Sequence, residues 1–166
     1  MTDVALIWDN VNQRADVAVV GNDLLLDQGL QTAVIISLAT DRLAEPGDAI
    51  PDASGDPRGW WGDIPIDPGT SDSRRYPIGS RLWLLRRSKY TDAGAGLAIG
   101  YAQEALQWLI DDGVAARVDV AAARQAPPLG TLVLGITIVR NTASASGSSV
   151  WTMQWDVTAG LPVTGA

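Results

Sequence analysis

The sequence contains no cysteine, no histidine, no phenylalanine and a single lysine, Lys89. Each gap removes a class of chemistry. Without cysteine there is no disulfide, thiol nucleophile or thiolate-held metal. Without histidine the commonest general base and zinc ligand is missing. Arginine supplies nearly all the positive charge, and its planar fork favours specific pairing with carboxylates over a solvating coat. Long apolar runs are absent too: none approaches the length that crosses a membrane, and "MTDVALIWDN" is too short and acidic for a signal peptide. The chain therefore reads as soluble and made in a cytoplasm. A net charge of −7 opposes general binding to nucleic acid, whose phosphates an acidic surface repels.

What is present is a globular composition. Apolar residues make up 46% of the 166 positions, enough for a core within one domain spanning 1–166. With phenylalanine missing, seven tryptophans and three tyrosines carry all the aromatic volume, and each pairs a large apolar face with a polar edge.

Patterning predicts an α+β fold: an N-terminal β-hairpin, then two to three helices packed on a C-terminal antiparallel three-stranded meander. "DVALIWDN" and "ADVAVVGNDLLLD" read as extended segments, with Gly21-Asn22 as a two-residue turn. "GLQTAVIISLATD" places Leu30, Val34 and Leu38 at helical spacing, with Ala33 beside them, although β-branched residues weaken that helix. "SRLWLLRRSKY" predicts a short helix with Leu82, Trp83 and Leu85 turned inward. The strongest helix is "TDAGAGLAIGYAQEALQWLIDDG", with Thr91 as N-cap, Asp92 in the first turn and Gly113 as the stop. Its expected core stripe is Leu97, Tyr101, Ala105 and Trp108, flanked by Ala98, Ala102 and Leu109. The last third alternates with period two. Val114, Ala116, Val118 and Val120 share one face, "TLVLGITIVR" is apolar on both, and Trp151, Met153, Trp155 and Val157 share another.

Between these elements lies a long loop at about 42–79, holding six of the nine prolines. Loops of that length inside a domain are either functional or disordered, and Trp60, Trp61, Ile64 and Ile66 argue for packing. "RGWWGD" concentrates the question: two adjacent indoles sit between glycines and then between Arg58 and Asp63. They pack on their own domain or anchor a neighbouring subunit, since Trp and Arg dominate binding hot spots. Charge is segregated as well. Residues 41–72 hold eight acids, and 74–89 hold six bases with no acid. Either the two stretches neutralise each other within the fold, or the basic one docks on an acidic partner. Candidate interface residues are Arg58, Trp60, Trp61, Asp63, Arg74, Arg75, Arg86, Arg87, Trp151 and Trp155.

Catalytic readings fare poorly, and no catalytic, cofactor-binding or metal residue is assigned. "GAGLAIG" is one residue off the dinucleotide fingerprint and follows no strand, so its small residues fit close helix approach instead. The aspartates at 48, 52, 56, 63, 67 and 72 lack the alternate spacing of a calcium loop. Glu45, Glu104, Asp111 and Asp112 are candidates for a glycosidase pair only because distant acids can meet in space. No nucleophile–base–orienter set is present, and the chain reads as no enzyme.

Taken in order, "MTDVALIWDN", "DLLLDQGLQTAVIISLATDRLA", "RGWWGD", "GSRLWLL" and "YAQEALQWLIDDGVAARVDV" resemble the baseplate wedge proteins of Mu-like contractile-tailed phages. That family is similar to the wider group of wedge proteins that act as sheath initiators. The resemblance implies a non-catalytic structural subunit of a sixfold baseplate in the virion tail, assembled in the bacterial host cytoplasm. Its implied partners are a larger wedge protein, the first sheath ring, and tube or hub proteins, with neither nucleic acid nor membrane among them. It also implies that a partner strand completes the open edge of the C-terminal meander. The wider group's Glu-Pro-Arg motif is not matched here: the junction reads "DDGVAARV", with only Arg117 in common. A tail-associated peptidoglycan hydrolase and an assembly chaperone absent from the mature particle are the alternative roles.

Overall fold

The computed structural model describes residues 3–4, 6–9, 14–17, 19–20, 23–24, 26–27, 30–51, 54–60, 77–86, 91–124, 131–141 and 150–163. The architecture is α+β, as the patterning predicts: N-terminal strands, then two α-helices, then an antiparallel sheet. Six short strands come first: β1 (Asp3–Val4), β2 (Leu6–Asp9), β3 (Arg14–Val17), β4 (Val19–Val20), β5 (Asp23–Leu24) and β6 (Leu26–Asp27). β2 pairs with β3, and β4 with β5. In the second hairpin Val20 pairs with Asp23, and the turn expected at Gly21-Asn22 lies outside the described residues. β1 pairs with β6 and closes the set, a non-local contact that no local pattern announces. Thr32 ties these strands to the helices. Its hydroxyl donates to the Val4 carbonyl at 3.4 Å and accepts from the Leu6 N–H at 3.1 Å.

Helix α1 (Gln31–Ala39) buries Val34, Ile35 and Leu38, leaving Ile36 43% exposed. Its N-cap, Leu30, offers no side-chain bond. With β-branched residues and no cap, the helix is held by burial rather than by propensity. Next comes a 3₁₀ helix (Arg81–Leu85), capped by Ser80, with Leu82, Trp83 and Leu84 buried.

Helix α2 (Asp92–Asp111) starts as its sequence predicts: the Thr91 hydroxyl accepts from the Gly94 N–H at 3.0 Å, and Asp92 favours the positive end of the helix dipole. Gly113 ends it at φ +69°, a left-handed conformation that suits glycine. The buried stripe is rotated from the expected one. Ala98, Ala102, Ala105, Leu106 and Leu109 face the core, while Leu97 is 50% exposed. The alanines have the small side chains that let a helix axis come close to the sheet, and Leu97 is carried outward. Tyr101 and Trp108 sit half-buried at the stripe's margins.

The C-terminal sheet comprises β7 (Ala115–Arg124), β8 (Leu132–Arg140), β9 (Val150–Asp156) and β10 (Leu161–Pro162), all antiparallel, in the order β10-β9-β8-β7. It is the expected meander with one short strand added. β10 follows a turn in which the Asp156 carboxylate accepts from the Thr158 and Ala159 N–H groups. One parity prediction fails. Ala116 was expected to face inward with Val118, but the register jumps between Ala115 and Arg117. Ala116 is therefore the extra residue of a bulge, and Ala115 is buried in its place.

Leu134, Ile136 and Ile138 of β8 and Trp155 of β9 meet α1 and α2 in one cluster, with Val157 beyond them. That layer places the 3₁₀ helix and the base of the long loop at the side of α2.

Candidate interaction surface

Residues 40–42 and 79–81 run side by side and form the floor of the surface. Asp41 bridges Ser80 in parallel, the Ser80 N–H donates to the Thr40 carbonyl at 2.9 Å, and the Arg42 N–H to the Ser80 carbonyl at 3.1 Å. Gly79 permits this approach. Its φ is +105°, and a Cβ there would lie 2.4 Å from the Thr40 oxygen. Ser80, 2% exposed, donates its hydroxyl to the Leu38 carbonyl at 2.7 Å and so pins the floor to the end of α1.

On this floor the segregated charges meet. The Arg81 guanidinium, with 14% of its side chain exposed, reaches Glu104 at 2.9 Å, Asp48 at 3.2 Å and Glu45 at 3.4 Å. It also lies 4.7 Å from the Tyr101 ring centre, within cation–π range. Burial alone would lower its pKa. The hydrogen bonds it donates to Glu104 and Asp48, with the charges of Glu104 and Glu45, outweigh burial and hold it above the ordinary value. The Tyr101 hydroxyl is raised, first by burial and then by the nearby Asp48 charge, against the opposing pull of Arg81. Arg42 closes the group with a 3.1 Å contact to Glu104.

A second cluster centres on Asp41. Arg58 and Arg86 both pair with its carboxylate, Arg86 at 3.1 Å. The Arg58 guanidinium stacks 4.4 Å from the Trp83 ring centre, and Trp83 donates its indole N–H to the Arg42 carbonyl at 2.8 Å. Arg58 has a positive φ of 54°, unusual for a residue with a side chain. Its N–H bond to Asp56 at 2.8 Å, the ion pair and the stacked ring together hold that conformation. Among the described residues, then, the two charged stretches neutralise each other inside the fold. Asp41, Arg81, Trp83 and Glu104 carry the arrangement. Sequence reasoning did not name them as interface residues, weighing Glu104 only for catalysis, and the segregated charge was the available signal.

The sequence-derived interface residues are distributed unevenly. Arg58 and Arg86 come together on Asp41, and Trp60 is half-buried two residues along from Arg58. Trp155 is fully buried in the core, with its indole N–H unpartnered, so it packs the interior and offers a partner no surface. Trp151 occupies β9 opposite Ile138, with its side chain outside the described residues. Trp61, Asp63, Arg74, Arg75 and Arg87 also lie outside them.

Several of the acids weighed for catalysis or metal binding are engaged in ion pairs or backbone hydrogen bonds. Glu104, Glu45 and Asp48 bind Arg81, and Asp56 accepts from backbone. Among the described residues no group of three or more potential metal ligands forms, and no helix is long and apolar enough to cross a membrane. On β7, Arg117 pairs with Asp119 at 2.7 Å on the exposed face, and among the described residues no strand covers the outer edge of β7.

The surface therefore combines an arginine-clamped loop base with a ten-residue strand whose outer edge no described strand covers. Comparison with known proteins identifies the family. The model of the family described as phage protein GP46 matches residues 30–149. The baseplate protein gp46 of Escherichia phage Mu is 49% identical over 122 residues, covering 74% of this chain and 77% of that protein. The Mu-like prophage FluMu protein gp46 of Haemophilus influenzae is 40% identical over 139 residues, covering 84% and 87%. The chain belongs to the Gp46 baseplate protein family of Mu-like phages.

Proposed function

We propose that this chain is a structural wedge subunit of a contractile-tail baseplate, one copy set in a sixfold assembly within the virion. It bridges a larger wedge protein to the first sheath ring, near the tube or hub. The observation that carries this reading is the 49% identity to a phage baseplate protein across most of both chains. The fold supports it with two surfaces. Among the described residues no strand lies beyond the outer edge of β7, and a partner strand completes it. The bulge at Ala116 and the Arg117–Asp119 pair shield that edge from pairing with other copies before assembly in the host cytoplasm.

The second surface is the loop. Arg58, held by Asp41 and Trp83, fixes the backbone that leads to Trp60 and Trp61, the anchors for a neighbouring subunit, with Asp63 setting register. Arg74, Arg75, Arg86, Arg87 and Trp151 extend the contact. Purified particles should contain the chain by mass spectrometry. Its absence there would make it an assembly chaperone, and muralytic activity lost on changing one carboxylate to its amide would make it a hydrolase. Changing Trp60 and Trp61 together to alanine should leave the melting temperature of the free protein unchanged and block tail assembly; an unfolded domain would assign both rings to the core.

A further inference from the structure

A groove runs between α1 and α2 beneath residues 77–79. Its larger part, about 320 Å³, has an apolar floor of Ala33, Ile36, Ile78 and Trp108, and Asp112 stands at one end. A second hollow of about 260 Å³ shares Pro77, Ala105 and Trp108 with it and continues to Arg42 and Glu104. From Glu104 to Asp112 the groove follows α2 for about 12 Å at the ~1.5 Å helical rise per residue. That length takes about four residues of extended chain at ~3.3 Å each. Ile36 and Ile78 remain 43% and 36% exposed along it, and Trp108 is only half-buried, its indole N–H already donated to Ser37 at 3.0 Å. The floor thus offers apolar contact and has spent its polar group.

The two ends differ in charge. Glu104 is matched by Arg42 and Arg81. At the other end Asp111 and Asp112 sit together at the negative end of the helix dipole, and the last turn of α2 holds no base. Asp111 accepts only from the neutral Gln107 amide, and Asp112 has no ion pair among the described residues. An apolar trough ending in a negative charge that no described residue pairs selects a ligand with the complementary order of groups.

We propose that this groove receives a short extended segment of a partner protein: an apolar side chain seated between Ile36 and Trp108, followed by a lysine or arginine placed at Asp112. This rests on the baseplate reading above, because the partner is met in the assembled tail. The test places a photo-crosslinking residue at Ile36, in a chain assembled into particles, and sequences the captured peptide. The expected capture is a segment of another protein with an apolar residue beside a lysine or arginine. Asp112→Lys should lower the capture yield about tenfold, by turning attraction into like-charge repulsion, while leaving the melting temperature unchanged. Capture of residues 61–76 of the same chain, of a second copy, of an acidic segment, or of nothing would overturn the proposal. So would a yield indifferent to Asp112→Lys. Should the chain be missing from particles altogether, the baseplate reading itself fails, and the two failures are distinguishable.

Discussion

Gly79 and Gly96 are both glycines, and the structure assigns alanine opposite effects at the two positions. At Gly79 the backbone has φ +105°, which costs an L-residue about 1–3 kcal/mol. The added Cβ would stand 2.4 Å from the Thr40 oxygen and 2.9 Å from its carbon, both backbone atoms that cannot rotate aside. Relief requires parting residues 40–42 from 79–81. That sacrifices the Ser80–Thr40 and Arg42–Ser80 hydrogen bonds, each worth about 1 kcal/mol. Gly79→Ala should therefore lose about 3–5 kcal/mol, a large part of the ~5–15 kcal/mol that holds a typical domain together. For a chain of this size that corresponds to a melting temperature lower by about 6–20 °C. Gly96 lies on the exposed face of α2, where a Cβ would meet nothing within 4 Å, and Gly96→Ala should gain about 1 kcal/mol of helix propensity. Urea denaturation of the two variants beside the parent decides the matter. A loss below about 1 kcal/mol at Gly79 would refute the tight approach of these two segments, and a loss at Gly96 would refute its open surroundings.

Trp155→Ala should cost about 3–5 kcal/mol and unfold the free protein in denaturant earlier than any change at Trp60, because Trp155 alone of the two is fully enclosed. Asp41→Asn removes the carboxylate that Arg58 and Arg86 share; the group is partly exposed, so the expected loss is about 1–2 kcal/mol, shrinking as salt is added. Tyr101 gives a pH signature. Its folded pKa lies above the ordinary 10.0, so the fold holds the phenol proton more tightly than the unfolded chain does. Stability from that source is complete below pH 10 and is lost as pH rises through the folded value. Tyrosinate absorbance should show one phenol titrating late, and Tyr101→Phe should flatten the alkaline fall in stability.

Much of the fold was legible because its signals are local. The Thr91 cap and the Gly113 stop are each decided within a few residues. The errors mark where neighbours decide. Periodicity offers two adjacent stripes on α2, and choosing the one with Leu97 favoured bulk over the close approach that Ala98 and Ala102 allow. A period-two count cannot register the bulge at Ala116, which is defined only by the pairing to β8. Trp155 looked like its fellow tryptophans, but its strand position opposite Leu134 turns it inward. The segregated charges of 41–72 and 74–89 announced that something would be paired. They did not say that Glu104, a helix away, would hold both Arg42 and Arg81.

Asp41 serves two arginines that belong to different parts of the chain, and this joins places that are remote in sequence. Arg58 hangs from the long loop, whereas the Arg86 guanidinium lies against Gly160, a Cβ there being 3.1 Å from its Nε, at the turn that opens β10. The base of the loop and the margin of the sheet thus share one carboxylate, although most of the chain's length separates them.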